Sequence, residues 1–339
     1  MVGSEKMILN LKEYKTMKTK IFFLTLFMAS FIVVGCDTDI ENTKIQKLKT
    51  YDEQYYKNLR AFHESDHEIS YAYYAAWSPV EGVSGYKDPA SWGERIIGLP
   101  DSLDIVNLWM GVPTNDSTST KLLGTTYAPI AYADMKYCQE KKGMKFVMHA
   151  DASNFNHKFT VDGVEYDMSV KCDSAVIAAY AKWIANTVKE PGLDGVDIDY
   201  EGWYASDLIS LVKELSSYFG PKSPNPETLL IVDFFSNSAP SECDPYCNYF
   251  VDQAYSNQGG SAHPIGGLTP EKLVYCETFG LFYLYGGEIL NYAAWEPEGD
   301  HHKGGCGAYY MGRNYYSASG IPYNEFRKAI QIMNPALNK

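Results

Sequence analysis

Residues 193–201 read Leu-Asp-Gly-Val-Asp-Ile-Asp-Tyr-Glu and follow a Pro191-Gly192 break, which places carboxylates at Asp197, Asp199 and Glu201 with a spacing of two. On a β-strand that spacing turns all three to one face. Val196, Ile198 and Tyr200 turn to the other, where they suit packing against helices, so the acidic row would look into an enclosed polar site. Carboxylates confined together cannot all ionise freely. One is expected to keep its proton at neutral pH, the state a general acid requires. A solvated acidic edge or a calcium loop is the alternative; calcium loops place their ligands in turn-rich segments, whereas Val, Ile and Tyr between the acids favour strand.

Such a row needs a strand covered by helices, and the flanking pattern supplies them. Strands are expected over residues 68–77, 104–111 and 145–150, with a helix over 127–142 before Gly143 and another over 174–190 leading into the acidic fourth strand. Downstream, a helix over 207–219 stops at Gly220-Pro221 and is followed by an apolar run, 229–235, suited to a buried parallel strand. Residues 249–255, 273–279 and 308–311 complete the strands, and 325–333 reads as a closing helix. Strands alternating with helices predict a parallel α/β architecture, and 339 residues suit one barrel of ordinary size. In the sixth strand, Gln253 and Tyr255 would share a face by the same period of two.

Asp194-Gly195-x-Asp197-x-Asp199-x-Glu201 resembles the signature of glycoside hydrolase family 18, the chitinases and endo-β-N-acetylglucosaminidases, at every fixed position. The resemblance covers most of residues 66–336. It implies a single-domain (β/α)8 TIM barrel with its active site on the C-terminal face, and hydrolysis assisted by the substrate's own acetamido group. On it, Glu201 is the acid and base, Asp199 orients the acetamido N–H, and Asp197 shares a proton with Asp199. Gln253 and Tyr255, within Phe250-Val251-Asp252-Gln253-Ala254-Tyr255, would hold the acetamido group. Many members place a Trp on the eighth strand under the sugar. This chain offers Tyr309 and Tyr310 there.

About 28 residues separate Phe279 from Ala308, too few for the insertion domain of deep-cleft chitinases. The resemblance therefore leans toward an endo-β-N-acetylglucosaminidase cutting the GlcNAc-β1,4-GlcNAc core of N-glycans on a glycoprotein. A non-catalytic surface glycan-binding barrel and a chitin-oligosaccharide hydrolase are the other readings. Trp77, Trp92, Trp109, Trp203 and Trp295 are candidate stacking residues, Trp203 the one expected nearest the cleft, and Asn107 and His149 are expected near its mouth.

Met17-Lys18-Thr19-Lys20 precedes an apolar run to Val34 that ends at Gly35-Cys36, a pattern that reads as a secretory signal too short to span a bilayer comfortably. Val33-Val34-Gly35-Cys36 resembles a bacterial lipobox with Cys36 as the lipidated residue, and an internal start at Met17 would make residues 1–16 an upstream artefact. The acidic stretch 37–41 and the segment 326–336 resemble those of Bacteroides-type surface lipoproteins. The expected organisation is therefore a pre-sequence over 1–35, a tether and lead-in over 36–65, and the catalytic barrel over 66–339. It implies an outer-membrane lipoprotein held to the membrane by its lipid and working beside glycan-import machinery.

A formal charge of −13 makes nucleic acid an improbable partner. Among the six cysteines beyond Cys36, Cys243 and Cys247 are the most plausible disulfide pair. Their spacing has no second ligand cluster nearby to make a metal site, and no metal or organic cofactor is expected.

Overall fold

A computed structural model describes residues 50–75, 95–118, 125–152 and 157–335. Cys36 and its flanks, Trp77 and Trp92 lie outside the described residues. Eight strands run β1 Ile69–Tyr73, β2 Ile105–Leu108, β3 Lys145–Asp151, β4 Gly195–Tyr200, β5 Leu229–Phe234, β6 Tyr249–Asp252, β7 Leu273–Thr278 and β8 Gly305–Tyr309. Each pairs in parallel with the next, and β8 returns to β1 with Ile69 opposite Gly305, closing a (β/α)8 barrel. The main helices are α1 Glu53–His63, α2 Pro129–Tyr137, α3 Ser174–Lys189, α4 Ala205–Leu215, α5 Ile289–Ala294 and α6 Asn324–Met333.

The period of two sorts the side chains into two apolar layers. Tyr71, Tyr73, Val147, Ile231, Val251 and Val274 fill the barrel interior. Val196, Ile198 and Tyr200 of β4 join the outer belt with Ile177, Tyr180 and Ile184 of α3. Each such burial contributes roughly 1.5–3 kcal/mol, which fixes the face β4 presents inward. Helix α3 starts where the Asp173 carboxylate accepts the Val176 N–H at 3.1 Å. Helix α2 starts at Pro129 and passes into a π-turn, Cys138–Lys142, before Gly143 turns the chain at φ +86°.

Several element boundaries differ from expectation by a few residues, and two of them bear on the site. The eighth strand begins at Gly305 rather than at residue 308, and its glycines are there for space. A Cβ at Gly307 would lie 2.5 Å from the Tyr71 carbonyl oxygen and 2.6 Å from Cys276 Sγ, and one at Gly305 would lie 1.9 Å from the Ile69 carbonyl oxygen. Glycine reads as a strand breaker in sequence, but here it admits the backbone of β1 and the Cys276 sulfur. The sixth strand ends at Asp252 rather than at 255. The Tyr255 N–H donates to the Gln253 carbonyl at 2.7 Å, a three-residue turn, so Gln253 and Tyr255 do not share a strand face.

Between Phe279 and Ala308 the chain forms only the helical turn Phe279–Phe282, α5 and the start of β8, so no insertion domain is present there. Cys243 and Cys247 are buried free thiols rather than a disulfide. Burial pushes the Cys243 thiol up to about 12, so it is held as a neutral apolar group.

Candidate active site

The three acids of β4 form a ladder from interior to mouth: Asp197 is fully buried, Asp199 is half-buried, and Glu201, just past the strand, is exposed at the C-terminal rim. Each rung meets different neighbours because the barrel curves around it. Asp197 Oδ2 accepts the Tyr71 hydroxyl at 2.5 Å and the Asn107 amide at 2.8 Å. Asp199 lies 3.5 Å from His149 Nε2 and accepts the Gln253 amide at 3.3 Å. Asn107 Nδ2 also lies 3.3 Å from His149 Nδ1, so β2 and β3 together orient the residues beneath the ladder.

The electrostatics follow from enclosure. Burial, then the charge of Asp199, raises the Glu201 carboxyl above its ordinary value, and a hydrogen bond from Gln253 offsets part of this. Burial raises Asp197, opposed by His149, Tyr71 and Asn107. Burial by itself would lower the His149 imidazole; the hydrogen bond to Asp199 and the charges of Asp199, Asp197 and Asp151 outweigh it, and the net shift is upward.

Sequence reasoning missed three residues here. Asp233, on β5 directly across from Asp199, is fully buried and accepts the Tyr73 hydroxyl. Tyr71 and Tyr73 reach it and Asp197 from β1. The available signal was an ionisable residue on the inward parity of an otherwise apolar run, Leu229–Phe234, and a Tyr-x-Tyr spacing in the first strand.

Above the carboxyls stands an aromatic wall. Tyr309 stacks on Tyr255 with ring centroids 5.8 Å apart, meets Trp109 at 5.0 Å and Tyr73 at 5.9 Å, and Phe235 extends the row 6.0 Å beyond Tyr255. Tyr310 holds a left-handed backbone at φ +54°, and its ring lies 4.3 Å below the Arg313 guanidinium and meets Trp109 at 5.1 Å. Trp203 is not part of this wall. It is 4% exposed and packs in the outer belt against Tyr180 of α3, because the chain turns outward at Gly202. Trp295 likewise packs outside the barrel, edge-on to Tyr275 at 5.3 Å.

Residues 72–264, more than half of the chain, match the family described as the endo-β-N-acetylglucosaminidase EndoS TIM-barrel domain. The chain belongs to that family. It is thus a glycoside hydrolase of the family 18 kind. Endo-β-N-acetylglucosaminidase F2 of Elizabethkingia meningoseptica is 27% identical over 314 residues, covering 82% of this chain and 85% of the relative. An endo-β-N-acetylglucosaminidase of Bifidobacterium longum subsp. infantis is 27% identical over 207 residues, 56% of this chain and 36% of that longer protein. A solved endo-β-N-acetylglucosaminidase from Cordyceps militaris, bound to fucosyl-N-acetylglucosamine-Asn, shares the fold with a TM-score of 0.61 and 19% identity over 85% of this chain and 98% of its own.

Proposed function

We propose that the chain hydrolyses the GlcNAc-β1,4-GlcNAc core of N-glycans with retention of configuration, using the substrate's acetamido group as the nucleophile. The ladder of Asp197, Asp199 and Glu201, with Gln253 beside its upper two rungs, carries this reading. Glu201, raised and exposed at the rim, donates its proton to the glycosidic oxygen as the bond to the anomeric carbon breaks. The acetamido carbonyl oxygen of the −1 sugar attacks that carbon, forming an oxazolinium ion. Asp199 accepts the acetamido N–H and balances the developing positive charge, while Gln253 and Tyr255 hold the group in place. Water then gives a proton to Glu201 and its oxygen to the anomeric carbon, and the acetamido group is released. Tyr309 and Trp109 offer rings for the sugar face in place of a Trp from β8.

The relatives' names and the glycosylated asparagine in the Cordyceps militaris complex support an N-glycan substrate. The short span from Phe279 to Ala308 favours a branched glycan over a threaded polymer. The test is mass spectrometry of glycans released from high-mannose and complex glycoproteins by wild type and Glu201→Gln. Wild type should leave one GlcNAc on asparagine, and the variant should lose about 10²–10⁴-fold in rate. Equal release by both, or release by neither, would refute the assignment.

We propose further that the enzyme works at the cell surface. Cys36 of the lipobox-like Val33-Val34-Gly35-Cys36 carries a lipid that holds the enzyme on the outer membrane, where released glycans reach import machinery. Fatty-acid labelling of wild type but not Cys36→Ala supports this, and equal labelling refutes it.

A further inference from the structure

Beside Asp199 the barrel holds two fully buried carboxyls, Asp197 two residues earlier on β4 and Asp233 across from Asp199 on β5. One oxygen of each and one ring nitrogen of His149 all lie within 4.8 Å of one another. The donors are concentrated on one side of each carboxyl. Tyr71 and Asn107 donate to Asp197 Oδ2, and Tyr73 donates to Asp233 Oδ2, with the Gln253 amide at 3.5 Å. Asp197 Oδ1 and Asp233 Oδ1 are buried with no hydrogen-bond partner among the described residues. A buried carboxylate oxygen without a donor is costly, and two ionised carboxylates this close repel in a low-dielectric interior.

The groups facing Asp233 offer little relief. They are Tyr71 and Tyr73 from β1, His149 from β3, Asp197, Asp199 and Glu201 from β4, Gln253 and Tyr255 after β6, and Cys276 from β7. His149 is the one group among them able to carry positive charge, and its Nε2 is directed to Asp199 at 3.5 Å.

We infer that Asp233 is a positioning residue of the reaction: Asp197 and Asp233 hold one proton between them at the floor of the site, leaving Asp199 to face the acetamido group. This rests on the proposed reaction and replaces the proton sharing that the family resemblance implies, since the partner of Asp197 is then Asp233 rather than Asp199. The strong upward push that burial and the neighbouring Asp197 and Asp199 exert on Asp233 agrees with the geometry. Asp233 is fully buried and meets Asp199 through the Gln253 amide, so its effect should appear in turnover rather than in binding.

Two measurements test this. Infrared difference spectra of protein carrying isotope-labelled aspartate should show a protonated aspartate band at neutral pH that disappears in Asp233→Asn. Persistence of the full band in that variant would overturn the inference. In kinetics with a core-chitobiose glycopeptide, Asp233→Leu should lower kcat about 10³-fold with KM nearly unchanged, and Asp233→Asn, which restores a neutral hydrogen-bonding partner, should lose only about tenfold. Equal losses in the two variants would mean that an ionised carboxylate is needed, and would overturn it as well. The infrared measurement needs no substrate, so it stands apart from the fate of the proposed reaction. Normal glycan release with an unchanged band in Asp233→Asn sinks the inference alone.

Discussion

Glu201 is one residue past the end of β4, far enough to reach solvent and close enough for Asp199 to act on its carboxyl. An acid of raised pKa is competent while protonated and loses activity as pH rises through its folded value. Burial and then the charge of Asp199 set that value upward, so removing the charge must lower it. Asp199→Asn is therefore expected to move the alkaline limb of the kcat/KM profile to lower pH, on top of a rate loss of about 10²-fold or more. An unmoved limb in a pH-rate profile would show that Asp199 does not tune the acid. The single inward step between Asp199 and Glu201 gives one residue a half-buried setting with two fixed partners and the other an exposed one at the rim. In the proposed reaction two similar carboxyls thereby take different tasks.

At the scale of elements, β8 shows how a strand that looks weak in sequence can be required by its neighbours. Gly305 and Gly307 lie where β1 passes closest, with Ile69 backbone atoms in the volume a side chain at 305 would fill and Tyr71 and Cys276 atoms in that at 307. Gly307→Ala would bring a Cβ to 2.5 Å from the Tyr71 carbonyl oxygen, a backbone atom that cannot swing aside. It should cost about 1–3 kcal/mol in a urea unfolding curve, and because Tyr71 holds Asp197, kcat should fall while KM changes little. Stability and turnover equal to wild type would show that the strand yields freely. The turn after β6 makes the same point, since Gln253 and Tyr255 reach the site through a tight turn and not through strand alternation.

For the whole molecule, the closed end of the barrel carries the buried charge that ties chain segments together. The Asp104 carboxylate receives His63 at 2.7 Å and His67 at 2.9 Å from the end of α1 and the loop after it, and the Ser70 N–H at 2.8 Å from β1. Lys303, fully buried, reaches Glu68 at 2.7 Å and the Ala293 carbonyl at 2.9 Å, joining the approaches to β8 and β1. Burial would raise Asp104, but the hydrogen bonds from His63 and His67 outweigh it and hold the carboxyl at about 2. Stability from a lowered acid is complete above its ordinary value and is lost as pH falls toward 2. Burial would lower His67, yet Asp104 raises it on balance, so its share is complete below the ordinary imidazole value and is lost as pH rises through the raised one. Asp104→Asn should therefore destabilise by about 3 kcal/mol in chemical denaturation near pH 5, with the difference from wild type shrinking in strong acid. A constant difference at all pH values would show that charge is not what the cluster contributes.

The β4 motif was legible in sequence because alternation is a local property. Once residues 195–200 are extended, Asp197 and Asp199 must face one way and Val196 and Ile198 the other, and the outer belt of apolar helices decides which way is in. A parallel α/β architecture was legible for the same reason, from the order of alternating segments, whereas closure into a (β/α)8 barrel was implied by the family resemblance of the motif. What lies across from a residue is not local: it depends on register and on closure of the ring. Only tertiary structure could bring Asp233 opposite Asp199, carry Tyr71 and Tyr73 to the buried carboxyls, gather Trp109 with Tyr309, and turn Trp203 outward to Tyr180. The acidic ladder is written along one strand, whereas its partners come from the other strands that the closed barrel brings around it.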